Sequence, residues 1–282
     1  QDTTKQANNY RDTLSTLLVE KYPYNAIGYL FKAQQYGELK KHEDRKKVLS
    51  KALEIDPSNY NGLAQLCITQ NIQKDWKALY ETAKEGIKYY PQEYLFYLFK
   101  GLAASQKKEF LVAESSLETS YLYARDDQEK EDIRELLADV YYKSGKVQKA
   151  FDLYEELLKE KPENYMVMNN YAYFLSLEQR DLEKAEKMSH KTIEKEPKNA
   201  TYLDTYAWIL FQQEKYKDAL EYIEEAIENL EDKEASSEMW EHYGDILLQL
   251  GKKEQALKEW KKALELTEAN VERLEKKITE NK

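Results

Sequence analysis

Residues 133–162 read IRELLADVYYKSGKVQKAFDLYEELLKEKP, and this stretch decides the fold of the chain. In its first half, Leu137, Ala138 and Tyr141 recur at spacings of three and four, which indicates one face of an α-helix. Gly145 then predicts the left-handed residue that commonly closes a helix. The first half therefore predicts an amphipathic helix that ends beside Gly145.

The second half keeps helical spacing in its apolar residues until Pro162, where a helix cannot continue. Those residues are Val147, Ala150, Tyr154, Leu157 and Leu158. Two helices joined by a short turn pack closely only where small side chains lie at the crossing, and Ala138 and Ala150 meet that condition. Neither helix can bury its apolar stripe alone, so the pair predicts further helix pairs stacked beside it.

The composition of the whole chain favours an all-α protein. Of its 282 residues, 41% are hydrophobic and 34% are charged, which is enough apolar material for a large core. Eight Gly and five Pro are too few for an all-β or loop-rich protein. Because the apolar residues recur at helical spacing, we predict helices throughout.

The formal net charge of −10 opposes binding to a phosphate backbone, which requires clustered Lys and Arg. The densest basic group lies within residues 40–47, and Glu43 and Asp44 interrupt it. That mixture predicts a solvated helix face. We therefore expect no nucleic-acid partner.

Cysteine usage and hydropathy exclude two further classes. The single Cys67 permits neither an intramolecular disulfide nor a cysteine-based metal site, and we predict that it is a buried small residue. No run reaches the roughly 18 apolar residues of a membrane span. The chain begins at Gln1 rather than Met, so we expect that a targeting segment or more of the same protein precedes it. A cell-envelope or periplasmic location after signal removal and a cytoplasmic location both stay open.

Equivalent prolines and alanines recur along the chain at a nearly fixed distance. The spacing is 34 or 35 residues between Pro57 and Pro91, Pro162 and Pro197, and Ala185 and Ala219. A period near 34 with helix-turn-helix content is the signature of a helical solenoid, in which each repeat buries the apolar face of its neighbour.

The repeat nearest the C-terminus shows the pattern most fully. It carries Trp240, Tyr243, Gly244, Leu247, Gly251, Ala256, Trp260, Ala263 and Leu266. This arrangement resembles the tetratricopeptide repeat family, whose pattern is W-x2-L-G-x2-Y, then A-x3-F, then P. The resemblance implies an all-α, right-handed α–α superhelix of helix-turn-helix repeats with terminal capping helices.

Positions that match in phase divide the middle of the chain into seven repeats. These are 26–59, 60–93, 94–127, 131–164, 165–199, 200–233 and 237–267. Residues 1–25 predict a partial repeat or an N-terminal capping helix, and residues 268–282 predict a C-terminal capping helix. Two acidic joints, 124–130 and 230–236, exceed the period by three residues and predict longer helices or loops there.

The sequence contains no recognisable catalytic constellation. His42, His190 and His242 fall in separate repeats without metal-ligand spacing, so we expect them on exposed helix faces. The chain has no phosphate-binding glycine loop, dinucleotide fingerprint or nucleophile elbow. We therefore predict a protein that is not an enzyme and that uses neither a metal nor a cofactor.

The first helix of each repeat has a face that packing does not use. Repeat positions 4, 7, 8 and 11 pack, whereas positions 2, 5, 9 and 12 lie elsewhere at helical spacing. By resemblance to the family, that face lines a concave groove in which peptides dock. In the N-terminal half it carries Ile27, Leu30, Gln34, Asn61, Ala64, Ile68, Leu95, Leu98 and Leu102. In the C-terminal half it carries Asp132, Glu135, Asp139, Tyr142, Asn169, Tyr173, Asp204, Trp208, Glu238, Glu241 and Asp245.

The candidate partner-binding site takes two residues from the N-terminal half and ten from the C-terminal half. These are Leu98, Leu102, Asp132, Glu135, Asp139, Tyr142, Asn169, Tyr173, Asp204, Trp208, Glu241 and Asp245. Carboxylates interleaved with aromatic rings suit a basic or Arg-containing segment through charge pairing and cation–π contact. The apolar face led by Leu98 and Phe99 either holds apolar side chains of a partner or packs on further repeats.

We therefore predict a non-enzymatic scaffold that binds a protein or peptide segment in its groove. The alternative is a regulatory, spacing or oligomerisation domain of a larger protein, for example one of the cell envelope. The sequence leaves the oligomeric state and the identity of the partner open.

Overall fold

The computed structural model describes residues 2–230, 235–267 and 270–281, and the secondary structure within these ranges is entirely helical. In chain order the helices are α1 (Asp2–Lys21), α2 (Ala26–Glu38), α3 (His42–Ile55), α4 (Tyr60–Ile72), α5 (Trp76–Tyr89), α6 (Tyr94–Gln106), α7 (Phe110–Tyr123), α8 (Asp127–Lys143), α9 (Val147–Glu160), α10 (Tyr165–Leu177), α11 (Leu182–Lys195), α12 (Ala200–Gln212), α13 (Tyr216–Glu228), α14 (Ser237–Gln249), α15 (Lys253–Glu265) and α16 (Val271–Glu280). From α2 onward they form successive helix-turn-helix pairs, which confirms the predicted all-α superhelical repeat class.

In several turns between helix pairs, a proline ends one pair and an asparagine begins the first helix of the next. Pro57 ends one pair, and two residues later the Asn59 side chain accepts a hydrogen bond from the backbone N–H of Gly62 at 3.0 Å. Asn164 and Asn199 cap α10 and α12 in the same way. Such caps satisfy backbone N–H groups that the first turn of a helix leaves without a partner.

The turns within helix pairs all use a left-handed residue. Gly145 has a φ of +82°, as the sequence predicts, and Gly251 has a φ of +74°. Elsewhere the left-handed conformation falls on residues that carry a side chain, namely Lys40, Lys74, Lys108, Gln179, Asp181 and Glu214. A left-handed residue other than glycine costs roughly 1–2 kcal/mol, so packing of the two helices must offset this cost.

The chain divides into two compact units, the N-terminal unit Gln1–Leu153 and the C-terminal unit Tyr154–Lys282. In the N-terminal unit Ala138 and Ala150, the small residues predicted at the crossing of α8 and α9, are fully buried. Cys67 lies at zero exposure among Leu63, Leu79, Ala83, Phe96, Phe99 and Ala103, which confirms its role as a small core residue. Burial raises the pKa of its thiol to about 12.

The core of the C-terminal unit combines large apolar side chains with alanines. Its members include Leu203, Tyr206, Ala207, Leu210, Ala219, Ile223, Met239 and Ile246. A second cluster in that unit joins the last three helices and contains Leu247, Ala256, Trp260, Ala263, Leu274 and Ile278.

The first predicted long joint is a longer helix. The helix α8 has 17 residues, whereas the other first helices have 13. Of the second joint, residues 231–234 lie outside the described residues. No helix in the described part of the chain is long and apolar enough to cross a bilayer.

Replacing Gly145 with Ala should lower stability by about 1 kcal/mol, because alanine resists a φ of +82°. Packing should contribute nothing, since a Cβ at this position would meet no atom within 4 Å. Urea unfolding followed by circular dichroism measures the loss. Gly145→Asn is the control and should lose about half as much, because Asn tolerates this conformation; equal losses would contradict the backbone explanation.

Candidate functional site

In the N-terminal unit, the first-helix face carries apolar side chains on α4 and α6 and carboxylates on α8. Ile68 and Ile72 are 39% and 50% exposed, and Leu98 and Leu102 are half-buried. The helix α6 packs directly against α8. The helices that carry the predicted apolar and acidic site residues are therefore neighbours in this unit.

The acidic part of this face differs in exposure along α8. Asp132 is exposed and accepts a hydrogen bond from Nε2 of Gln128 at 2.7 Å. Glu135, Asp139 and Tyr142 are half-buried. The Tyr142 ring stacks on the Phe151 ring, with centroids 6.3 Å apart and planes 14° from parallel. One expectation is wrong here: Phe99 is 7% exposed and belongs to the core, so it does not lead an apolar outer face.

In the C-terminal unit, side chains from α10, α12 and α14 converge on His242. Its Nδ1 lies 2.9 Å from Oδ1 of Asp204, and its ring stacks on Trp208 at 4.1 Å between centroids. Tyr173 lies 6.1 Å from the same ring and donates a 2.6 Å hydrogen bond from its hydroxyl to Glu238. Tyr173 thereby joins α10 to α14 across α12.

His242 is buried, which corrects the expectation of an exposed histidine; His190, by contrast, is exposed. Burial alone would lower the pKa of His242, but the charge of Asp204 and the hydrogen bond between them outweigh it and raise that pKa above its ordinary value. Glu238 and Asp245 act in the same direction. The pair Asp204–His242 is thus a buried, charge-assisted bond between α12 and α14.

Two other predicted site residues of the C-terminal unit lie in its interior. Trp208 is 9% exposed and also stacks on Phe211, with centroids 4.8 Å apart, while Asn169 is 3% exposed. Among the described residues, Nε1 of Trp208 and Oδ1 of Asn169 have no hydrogen-bond partner. In this arrangement the Trp208 ring stabilises the packing of α12 on α14 and has little surface to offer a partner.

Glu241 and Asp245, the last two predicted site residues, bind cations of α16. Arg273 donates to Glu241 at 2.6 Å, and Lys277 donates to Glu241 at 2.7 Å and to Asp245 at 2.6 Å. Nε1 of Trp260 also donates to Asp245 at 2.9 Å. Burial and the nearby charge of Glu241 raise the pKa of Asp245. Lys277 acts in the opposite direction, but the pKa stays raised.

The sequence pattern missed His242, Arg273 and Lys277 as members of this face. The sequence did carry a signal for Arg273 and Lys277. They are four residues apart on the predicted capping helix and therefore lie on one side of it, beside its apolar stripe. Nothing in the pattern signalled His242. Among the residues the structure describes, no group of three or more His, Cys, Asp or Glu side chains is placed to hold a metal ion.

Family models match several parts of the chain. Models described as tetratricopeptide repeat match residues 26–59, 120–165 and 135–188, and a model described as anaphase-promoting complex, cyclosome, subunit 3 matches residues 178–263. The chain is a tetratricopeptide-repeat solenoid. No curated protein sequence matches it.

Solved structures share this repeat fold at low sequence identity. A tetratricopeptide repeat protein from Parabacteroides merdae has a TM-score of 0.74 and 15% identity, over 91% of this chain and 98% of that one. The APC/C hetero-tetramer Cut9–Hcn1 gives 0.65 and 17%, over 85% and 46%. The human IFIT1 dimer with PPP-AAAA gives 0.68 and 15%, over 98% and 69%. Tetratricopeptide-repeat folds generally mediate protein–protein interactions and are generally non-enzymatic.

The buried pair of this tetratricopeptide-repeat chain predicts that stability falls with rising pH. The pKa of His242 is raised in the folded state, so its contribution is complete below about 6.5, the unfolded value, and is lost as pH rises through the folded value. The midpoint temperature of thermal unfolding should therefore decrease as the pH rises above about 6.5. Asp204→Asn should remove most of this dependence, whereas His190→Gln should keep it. A wild-type midpoint that rises over this range would contradict the assignment.

Proposed function

We propose that this chain is a non-enzymatic scaffold that binds a protein segment on the first-helix face of its N-terminal unit. The segment would combine apolar side chains, for the surface of α4 and α6, with Lys or Arg for the carboxylates of α8. The observation that carries this proposal is that α4, with exposed Ile68 and Ile72, packs on α6, with half-buried Leu98 and Leu102, and that α6 packs on the acidic helix α8.

The outer helices α3 and α5 of the same unit carry charges of both signs. There, exposed charges pair with each other along one helix: Lys51 with Glu54 at 2.6 Å, and Lys84 with Glu81 at 3.0 Å. Exposed pairs of this kind contribute little to stability. An apolar surface beside carboxylates can bind a partner in two ways. Burial of the apolar surface stabilises the complex, and charge pairing orients the partner.

The charge balance supports a protein partner over a nucleic acid. The formal net charge is −10, and the acids of α8 would repel phosphates. The tetratricopeptide-repeat fold as such does not decide this, since the IFIT1 structure contains PPP-AAAA. We expect the full chain to leave a fluorescent single-stranded RNA unbound in an anisotropy titration at 150 mM salt.

The face can be tested with Asp132→Asn, Glu135→Gln and Asp139→Asn combined in one variant. A set of fluorescent 15-residue peptides, in which Leu and Arg content vary independently, serves as the probe in anisotropy titrations. Each exposed ion pair contributes about 0.5 kcal/mol, so the triple variant should bind the basic, Leu-containing peptides roughly tenfold more weakly. The same peptides should also bind the wild type more weakly at higher salt.

Glu221→Gln, Glu225→Gln and Glu228→Gln on the exposed side of α13 form the matched control, with the same change in charge. This control should bind as the wild type does. Equal weakening in both variants would show that the effect comes from net charge alone. If the wild type binds none of the peptides, the proposal is wrong. Light scattering of the wild type tests the competing role in oligomerisation, which a concentration-dependent dimer would favour.

A further inference from the structure

The last helix of the chain lies on the C-terminal unit in the manner of a bound ligand. It follows the last complete helix pair, at the position where the first helix of another repeat would begin, and packs on α15. Two of its side chains are buried, Leu274 at zero and Ile278 at 6% exposure, and they contact the cluster that contains Leu247, Trp260 and Ala263. The other described side chains of α16 are half-buried or exposed.

The charges on the two sides of this contact are complementary. Arg273 and Lys277 stand one turn apart on α16, beside Leu274 and Ile278, which are also one turn apart. They meet Glu241, which is only 4% exposed, and Asp245. A carboxylate so deeply buried requires a cation, and within the described residues both cations that reach Glu241 come from α16.

The acceptor surface therefore has a definite chemistry: two carboxylates beside an apolar floor that contains Trp260. We propose that this surface is a docking site for a basic amphipathic helix of a partner protein, and that α16 is its resident, displaceable occupant. The partner helix would repeat the pattern of α16, with two cations one turn apart and two apolar residues next to them. The inference rests on the proposed function, since it assumes a chain that binds protein segments, but it concerns α14 and α15 of the C-terminal unit.

The small attachment of α16 makes its exchange feasible. Within the described residues, two buried apolar side chains, three ion-pair contacts and the contact of Lys277 with the Trp260 ring hold this ten-residue helix. An isolated helix of this length is marginal in water, so the free segment has no strong structure of its own to retain. Because α16 is tethered, a partner must compete against a high local concentration, and the resident helix would set the threshold for binding.

The test uses the full chain and a fluorescent peptide with the sequence of residues 270–282, NVERLEKKITENK. The wild type should bind this peptide at least tenfold more weakly than Arg273→Glu/Lys277→Glu, in which the resident helix is repelled. Glu241→Gln/Asp245→Asn should lose peptide binding. A peptide with Glu in place of the Arg and of the second Lys should bind none of these proteins.

Lys261→Glu/Lys276→Glu is the matched control for charge, because both lysines are exposed and neither is paired with Glu241 or Asp245. It should bind the peptide as the wild type does. Equal peptide affinity for the wild type and Arg273→Glu/Lys277→Glu, or unchanged binding by Glu241→Gln/Asp245→Asn, would overturn the proposal. Far-ultraviolet circular dichroism confirms that each variant is folded.

Hydrogen exchange of the wild type separates a displaceable occupant from a permanent cap without any substitution. Excess peptide should raise the exchange rates of residues 271–280 and leave those of α12 and α13 unchanged. Protection of α16 that the peptide does not alter would overturn the proposal. A concentration-dependent dimer that Arg273→Glu/Lys277→Glu abolishes would assign the site to a second copy and would also overturn it. None of these outcomes depends on the carboxylates of α8, so failure here is distinct from failure of the scaffold proposal.

Discussion

The architecture depends on close approach between helices that carry large aromatic side chains on either side of a small residue. Gly244 shows the constraint most clearly, because a Cβ added there would lie 2.4 Å from the Trp260 ring; at Gly86 it would lie 2.3 Å from Phe96. A protein interior is close-packed, so such contacts allow no room for a methyl group without movement of the ring. Small residues therefore fix where the helices cross, and aromatic residues fill the space that remains.

This constraint explains why the fold could be predicted from the sequence and why the candidate site could be predicted only in part. Ala138, Ala150 and Cys67 sit at positions that tolerate one kind of side chain, and repetition of such positions reveals the period. The face opposite to the packing positions has no comparable restriction. Position alone selected Trp208 and Glu241 for that face, yet both are buried in the structure.

The physical reason is that neighbouring repeats decide exposure on this face. Trp208 is covered because His242, a residue of another helix, stacks on it, and Glu241 is covered because α16 supplies its cations. Helical spacing describes one helix at a time and carries no information about which side chain of the next helix reaches across. Asp132, on a helix whose neighbour is apolar at this face, stays exposed.

The two ends of the described chain differ in how well they are sealed. At α16 both apolar stripe residues, Leu274 and Ile278, are buried, and buried carboxylates are neutralised. At α1, Leu14 and Leu17 are 49% and 44% exposed. In a linear array each repeat is stabilised only by its neighbours, so a helix whose apolar side chains stay exposed gains less from packing. Within the N-terminal unit, heat or mechanical force should therefore detach α1 more easily than α4, whose Leu63 and Cys67 are buried.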